Sequence, residues 1–200
     1  MASNYAAIIR ENLARFFELD LKERAAALPA RIAADGVVFN AFGAVCSLTQ
    51  MGVHMDGRPE DGPMGIIISL YALHASQEAC LLEPFKSFKQ MPNSAPYAGA
   101  FTQRTEQALV PAVDWLNQHR TQIYTLMDGC DAPSAVSGDL AFIVHPLPKI
   151  TLCYVCYLAD EDFPAGVTCL YSNNAHLFLP TDALADVGEY TSKTILNAVK

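Results

Sequence analysis

The sequence predicts an α+β fold, an antiparallel or mixed sheet of about five strands packed by helices, in a single domain over residues 1–200. Three observations predict it. Helical periodicity opens and closes the chain. A wholly apolar helix lies between its polar stretches. Three strands joined by short connections fill most of the last third.

The first helix is expected over Asn4 to Glu18, where Tyr5, Ile8, Ile9, Leu13, Phe16 and Phe17 recur at helical spacing and form one apolar stripe. A second starts at Asp20, because Asp20-Leu-Lys-Glu23 has the form of a capping box, and ends near Pro29 to Ala34. A hairpin follows, with strands Val37 to Phe42 and Val45 to Met51 joined at Gly43-Ala44, a pair suited to a type II′ turn. Gly52 and Gly57 then bracket a loop holding His54 and Asp56. Asp61-Gly62-Pro63 marks a helix start with proline at the first helical position, and Met64 to His74 is apolar on every side, the pattern of a helix enclosed by the core.

Ala79 to Lys89 reads as extended. Helices follow over Pro96 to Leu109 and Pro111 to Met127, and a loop over Asp128 to Pro133. Gly138 to Val144, Ile150 to Leu158 and Gly166 to Tyr171 read as strands. Ile150 to Leu158 is apolar at both alternating sets of positions, so it is expected at the centre of a sheet covered on both faces. A short extended piece, Leu177 to Leu179, precedes a final helix capped by Thr181, with stripe Leu184, Val187, Thr191, Ile195 and Ala198.

Hydrophobic residues make up 52% of the chain and charged residues 17%, which favours a filled core and leaves apolar surface for a homodimer or a lined pocket. The net charge of −8 and the lack of a Lys/Arg cluster argue against nucleic acid and against anionic membranes. The N-terminal residues lack the basic-then-apolar order of a signal peptide, and the apolar stretch Met64 to Ala75, about 12 residues, is too short to span a bilayer. A cytoplasmic location is expected, in which the six cysteines stay free thiols.

No nucleotide-binding glycine motif, zinc-protease motif or esterase elbow is present. Cys153-Tyr-Val-Cys156 has metal-ligand spacing, but on a strand residues three apart point to opposite faces, so the two thiols are expected to be core residues. Asp139 and His145 fall on one strand face about 20 Å apart, too far to share a ligand. His145 precedes Pro146 at a strand end, where binding residues often lie; its bland reading is a structural histidine. Asp160-Glu161-Asp162 crowds carboxylates as a Ca²⁺ or Mg²⁺ site would, or forms a solvated turn in which Asp160 bonds the backbone. Arg104, one helical turn from Phe101, is placed to meet an anionic ligand or to serve as an ion-pair partner. Tyr154, Tyr157 and Tyr171 line a pocket or pack the sheet. The sequence assigns no metal site.

Several segments carry a family resemblance in order along the chain. They are Phe42-Gly43, Ile66 to Leu73, Tyr97 through Phe101 with Arg104, Gly138-Asp139, Leu147-Pro148-Lys149-Ile150, Asp160 to Ala165 and Leu179-Pro180. In these the chain resembles the uncharacterised family of domain of unknown function 3786. The resemblance implies a shared fold. It also implies kinship with proteins of anaerobic microbes, some of which add a cysteine-rich iron–sulfur segment. This chain has no closely spaced N-terminal cysteine run, and Ser172-Asn173-Asn174 stands where the pattern has an acidic residue. The family supplies no catalytic residues to carry over.

Three functions are therefore expected in competition. The first is a non-catalytic binding or accessory protein, homodimeric, with a small-molecule ligand. The second is a cofactor-linked protein holding a tetrapyrrole, a corrinoid or a metal. The third is a small-molecule enzyme using Asp139, His145, Asp160 and Asp162 at the strand ends.

Overall fold

The computed structural model describes residues 4–199. Helices α1 (Asn4–Phe17) and α2 (Leu21–Ala27) lead into strands β1 (Arg31–Ala33), β2 (Gly36–Ala41), β3 (Ala44–Thr49), β4 (Gly52–Met55) and β5 (Arg58–Pro59), then helix α3 (Pro63–His74). A long irregular segment carries β6 (Lys86–Ser87) and ends in the helical run that starts with α4 (Ala98–Phe101) and finishes with α5 (Val113–Met127). Strands β7 (Cys130–Asp131), β8 (Leu140–Leu147), β9 (Ile150–Tyr157) and β10 (Gly166–Tyr171) precede the last helix, α6 (Thr181–Ala198).

The class is α+β, but the strands form two antiparallel sheets of five rather than one. The first is a meander in the order β1-β2-β3-β4-β5, and the second has the order β6-β10-β9-β8-β7. The expected loop at His54 is strand β4: His54 pairs with Ser47 and Val53 with Leu48. Polar His54 and the flanking glycines concealed a strand that pairs on both sides. The hairpin turn lies at Phe42-Gly43, one residue earlier than expected. Both residues have positive φ, 48° and 81°, as a type I′ turn requires, whereas the expected type II′ turn needs it at the first position only. The second helix stops at Ala27, short of the end expected near Pro29 to Ala34, and the chain re-enters extended structure at Arg31. Asp20 caps it, its carboxylate accepting from the N–H groups of Lys22 and Glu23. The extended piece expected at 177–179 is instead one 3₁₀ turn, Ala175–Leu177. Thr181 does not cap α6; its hydroxyl donates to the Pro92 carbonyl.

One buried cluster joins both sheets. It takes Ile9, Leu13 and Phe16 from α1, Phe39 and Leu48 from the first sheet, and Ile67, Ile68 and Tyr71 from α3. Phe142, Leu152 and Tyr154 of the second sheet and Leu184 and Val187 of α6 complete it. Each such aliphatic or aromatic side chain contributes about 1.5–3 kcal/mol on burial. The apolar helix expected at Met64 to His74 is α3, packed across α1, where buried Asn12 donates to Ser69 Oγ at 3.1 Å. Strand β9 sits at the centre of the second sheet, with every residue from Ile150 to Cys156 buried. Its outer face contributes Cys153 and Val155 to a smaller cluster with Ile143, while Cys156 faces the main core. The Cys153 and Cys156 thiols therefore lie on opposite sides of one strand, as alternation requires. No helix among the described residues is long and apolar enough to cross a membrane.

Candidate functional site between the two sheets

The two sheets meet where the β2–β3 hairpin tip reaches β8. The Phe42 N–H donates to the Pro146 carbonyl at 2.8 Å. A residue at Gly43 larger than glycine would press on Leu126, since a Cβ there would lie 2.9 Å from its Cδ1. On the β8 side the ladder is irregular between Val144 and Leu147, so His145 and Pro146 bulge out of register.

That bulge sets His145 at the edge of a cleft of about 360 Å³ lined by Pro29, Phe39, Asn40, Asp128, His145 and Pro148. Each comes from a different local cause. Phe39 and Asn40 are neighbours on β2, so alternation buries Phe39 and exposes Asn40. Asp128 ends α5 in the left-handed conformation, φ 50° and ψ 44°, with its N–H bonded to the Tyr124 carbonyl. Pro148 occupies the β8–β9 turn, and that turn is pinned by its neighbour Lys149. The Lys149 ammonium donates to the Ser76 carbonyl at 2.8 Å and the Glu78 carbonyl at 2.9 Å, and lies 5.5 Å from the Phe178 ring centre. Its backbone N–H donates to Tyr71 Oη at 3.1 Å. Lys149 is buried, and burial pushes its ammonium below the ordinary lysine value.

His145 is half-buried. Its Nδ1 lies 3.0 Å from Thr151 Oγ1 of β9, while Nε2 has no hydrogen-bond partner among the described residues. Burial pushes the imidazole below the ordinary histidine value, and the nearby Asp128 carboxylate opposes that shift. The cleft thus presents an imidazole with Nδ1 held, a carboxylate, a carboxamide and three apolar walls. Such a set can bind and orient a small ligand through few polar groups.

The remaining candidates from the sequence lie elsewhere. Asp139 accepts from the Leu158 N–H at 2.8 Å through Oδ2, at the end of the second sheet opposite to His145. Asp160 Oδ1 accepts from the N–H groups of Asp162 and Phe163 at 2.9 and 2.7 Å, closing the β9–β10 connection as a backbone-bonded turn. Asp162 is exposed on that turn. Arg104 pairs with Glu189 at 3.2 Å, which also pairs with Lys193 at 2.6 Å. None of these four lines the His145 cleft. No group of three or more His, Cys, Asp or Glu side chains among the described residues is placed to hold a metal ion. Tyr154 and Tyr171 pack the sheet, bonded to Ser192 Oγ and the Leu184 carbonyl, whereas Tyr157 lines a second, more apolar groove on the outer sheet face.

Asn40 and Asp128 escaped the sequence reading. Asn40 lay unremarked within the expected strand Val37 to Phe42, and Asp128 opened the expected loop Asp128 to Pro133. Asp128-Gly129 directly after an amphipathic helix is the one local signal, since Asp tolerates the left-handed cap.

No curated protein and no solved structure matches the chain. Residues 20–194 match the family described as Domain of unknown function (DUF3786), from the capping residue of α2 nearly to the end of α6. The chain belongs to that DUF3786 family.

Proposed function

We propose that this protein binds a small molecule in the cleft between its two sheets, as a binding or accessory protein. The observation that carries the reading is the convergence of His145, Asp128 and Asn40, from three separated parts of the chain, on one cavity of about 360 Å³. That size lies at the lower end of small-molecule pockets, which matches a compact ligand. The surroundings support the reading too. His145 is held through Nδ1 by Thr151, the hairpin tip is tied to Pro146, and Lys149 pins the turn beside Pro148. An imidazole so fixed needs little reorganisation on binding. The separation of Asp139, Asp160 and Asp162 from His145 weighs against a joint acid–base site, and the opposed Cys153 and Cys156 thiols weigh against a cluster held by that pair.

Native mass spectrometry of protein isolated from cell extract tests the proposal. A non-covalent adduct is expected, and it should disappear in His145→Trp, where an indole fills the cleft. A protein without any adduct, or an adduct that survives in His145→Trp, would overturn it.

A further inference from the structure

We infer that the cleft selects a small organic cation, an alkylammonium with an apolar body, through the Asp128 carboxylate. This rests on the binding reading above and adds the ligand class.

The sign of the site comes first. Asp128 is the one charged residue among those lining the cleft, and no Lys or Arg lines it. Asp128 is exposed, its carboxylate acts on the neighbouring His145 imidazole, and among the described residues no salt bridge holds it. Its position strengthens the field. Asp128 caps the C-terminal end of the last stretch of α5, beyond the kink at His119, where the final backbone carbonyls place partial negative charge. A carboxylate is disfavoured there for helix stability, and both contributions favour a bound cation. A phosphate or carboxylate ligand would face this field with no counter-charge.

The shape favours an organic cation over a metal ion. Asp128 and His145 are two potential ligands, and no third His, Cys, Asp or Glu joins them among the described residues. Stable Zn²⁺ or Ca²⁺ sites use more protein donors than that. The walls are Phe39, Pro29 and Pro148, which suit a short hydrocarbon body. Asn40 and His145, which also line the cleft, supply polar groups for the remaining N–H groups of the ligand.

The test follows the His145 Cε1–Hε1 NMR signal of the full chain during titration with n-butylammonium, butyrate, 1-butanol and Zn²⁺ as separate probes. Butylammonium should shift the signal saturably, and Asp128→Asn should weaken its binding about fivefold, the size of one exposed ion pair. Asparagine accepts the left-handed cap, so this variant should fold like the parent. Equal or tighter binding of butyrate or 1-butanol would overturn the cation assignment while leaving the cleft as a binding site. Zn²⁺ binding that outcompetes butylammonium would replace the organic cation with a metal. An Asp128→Asn protein that binds butylammonium unchanged would remove the role of the carboxylate. If no probe moves the signal, both the cation assignment and the cleft reading fall.

Discussion

Thr151 Oγ1 lies 3.0 Å from His145 Nδ1 across the β8–β9 hairpin, beside the bulge that takes His145 out of register. This contact holds one ring nitrogen of a histidine that lines the cleft. Thr151→Val keeps the shape of the buried side chain and removes the hydroxyl. It should cost about 1 kcal/mol in urea unfolding and broaden or shift the His145 ring resonances, with Thr151→Ser restoring both. A Thr151→Val protein with unaltered His145 resonances would show that the contact does not set the ring.

Stability should fall as the solution is acidified below about pH 6.5. Burial holds the imidazoles of His145, His74 and His176 below the ordinary value of 6.5; Arg15 and Arg24 add to the effect at His74, and Lys86 at His176. A histidine with a depressed native pKa takes up its proton more readily in the unfolded chain. Its stabilising contribution is complete above 6.5 and is lost as pH falls through the lower native value. His145→Gln should flatten the dependence of the urea midpoint on pH in this window. An unchanged or steeper slope would contradict the shift assigned to His145.

Thiol reactivity should divide the cysteines by burial. Cys130 is exposed and Cys80 half-buried, whereas Cys46, Cys153, Cys156 and Cys169 are buried. Burial pushes the Cys153 thiol up to about 11 and those of Cys46 and Cys156 up to about 12. A maleimide at neutral pH should label Cys130 first, Cys80 more slowly, and the other four only in denaturant. Protection of Cys130, or rapid labelling of Cys153 in the native state, would be inconsistent with the packing.

Gly188→Ala should destabilise the protein by about 1–3 kcal/mol, through overpacking rather than backbone strain. A Cβ at Gly188 would sit 2.5 Å from Phe101 Cε2 and 2.9 Å from both Thr105 Oγ1 and Tyr171 Oη. All three partners are buried, and Phe101 is stacked on Phe88 at 4.4 Å, so none can swing into solvent. Thermal or urea unfolding measures the loss, and a variant as stable as the parent would show that α6 can shift outward at no cost.

The sequence revealed elements better than their assembly. Strand β9 was legible because, Thr151 apart, the positions from Ile150 to Cys156 are apolar on both alternating sets, as a strand covered on both faces requires. The same alternation placed Cys153 and Cys156 on opposite faces. The division into two sheets was not legible, because strand patterns do not state their partners. β4 was hidden because its exposed face carries His54 and glycines flank it. At the site, His145 stood out as a histidine at a strand end before proline. Asn40 and Asp128 did not, because their relation to His145 is created by the docking of the β2–β3 hairpin on β8 and leaves no mark in local spacing. Asp139, Asp160 and Arg104 were legible as polar outliers, yet their bonds to Leu158, to the 160–163 turn and to Glu189 engage them within the fold.

The central claim is that the His145 cleft receives a small molecule, and the most direct measurement uses the five histidine ring signals as reporters. Low-molecular-weight extract from the source cells is added to labelled protein while all five Cε1–Hε1 signals are followed. The account predicts that His145 moves saturably while His54, His74, His119 and His176 stay in place. A His145 signal that stays fixed, or five signals that drift together, would contradict it.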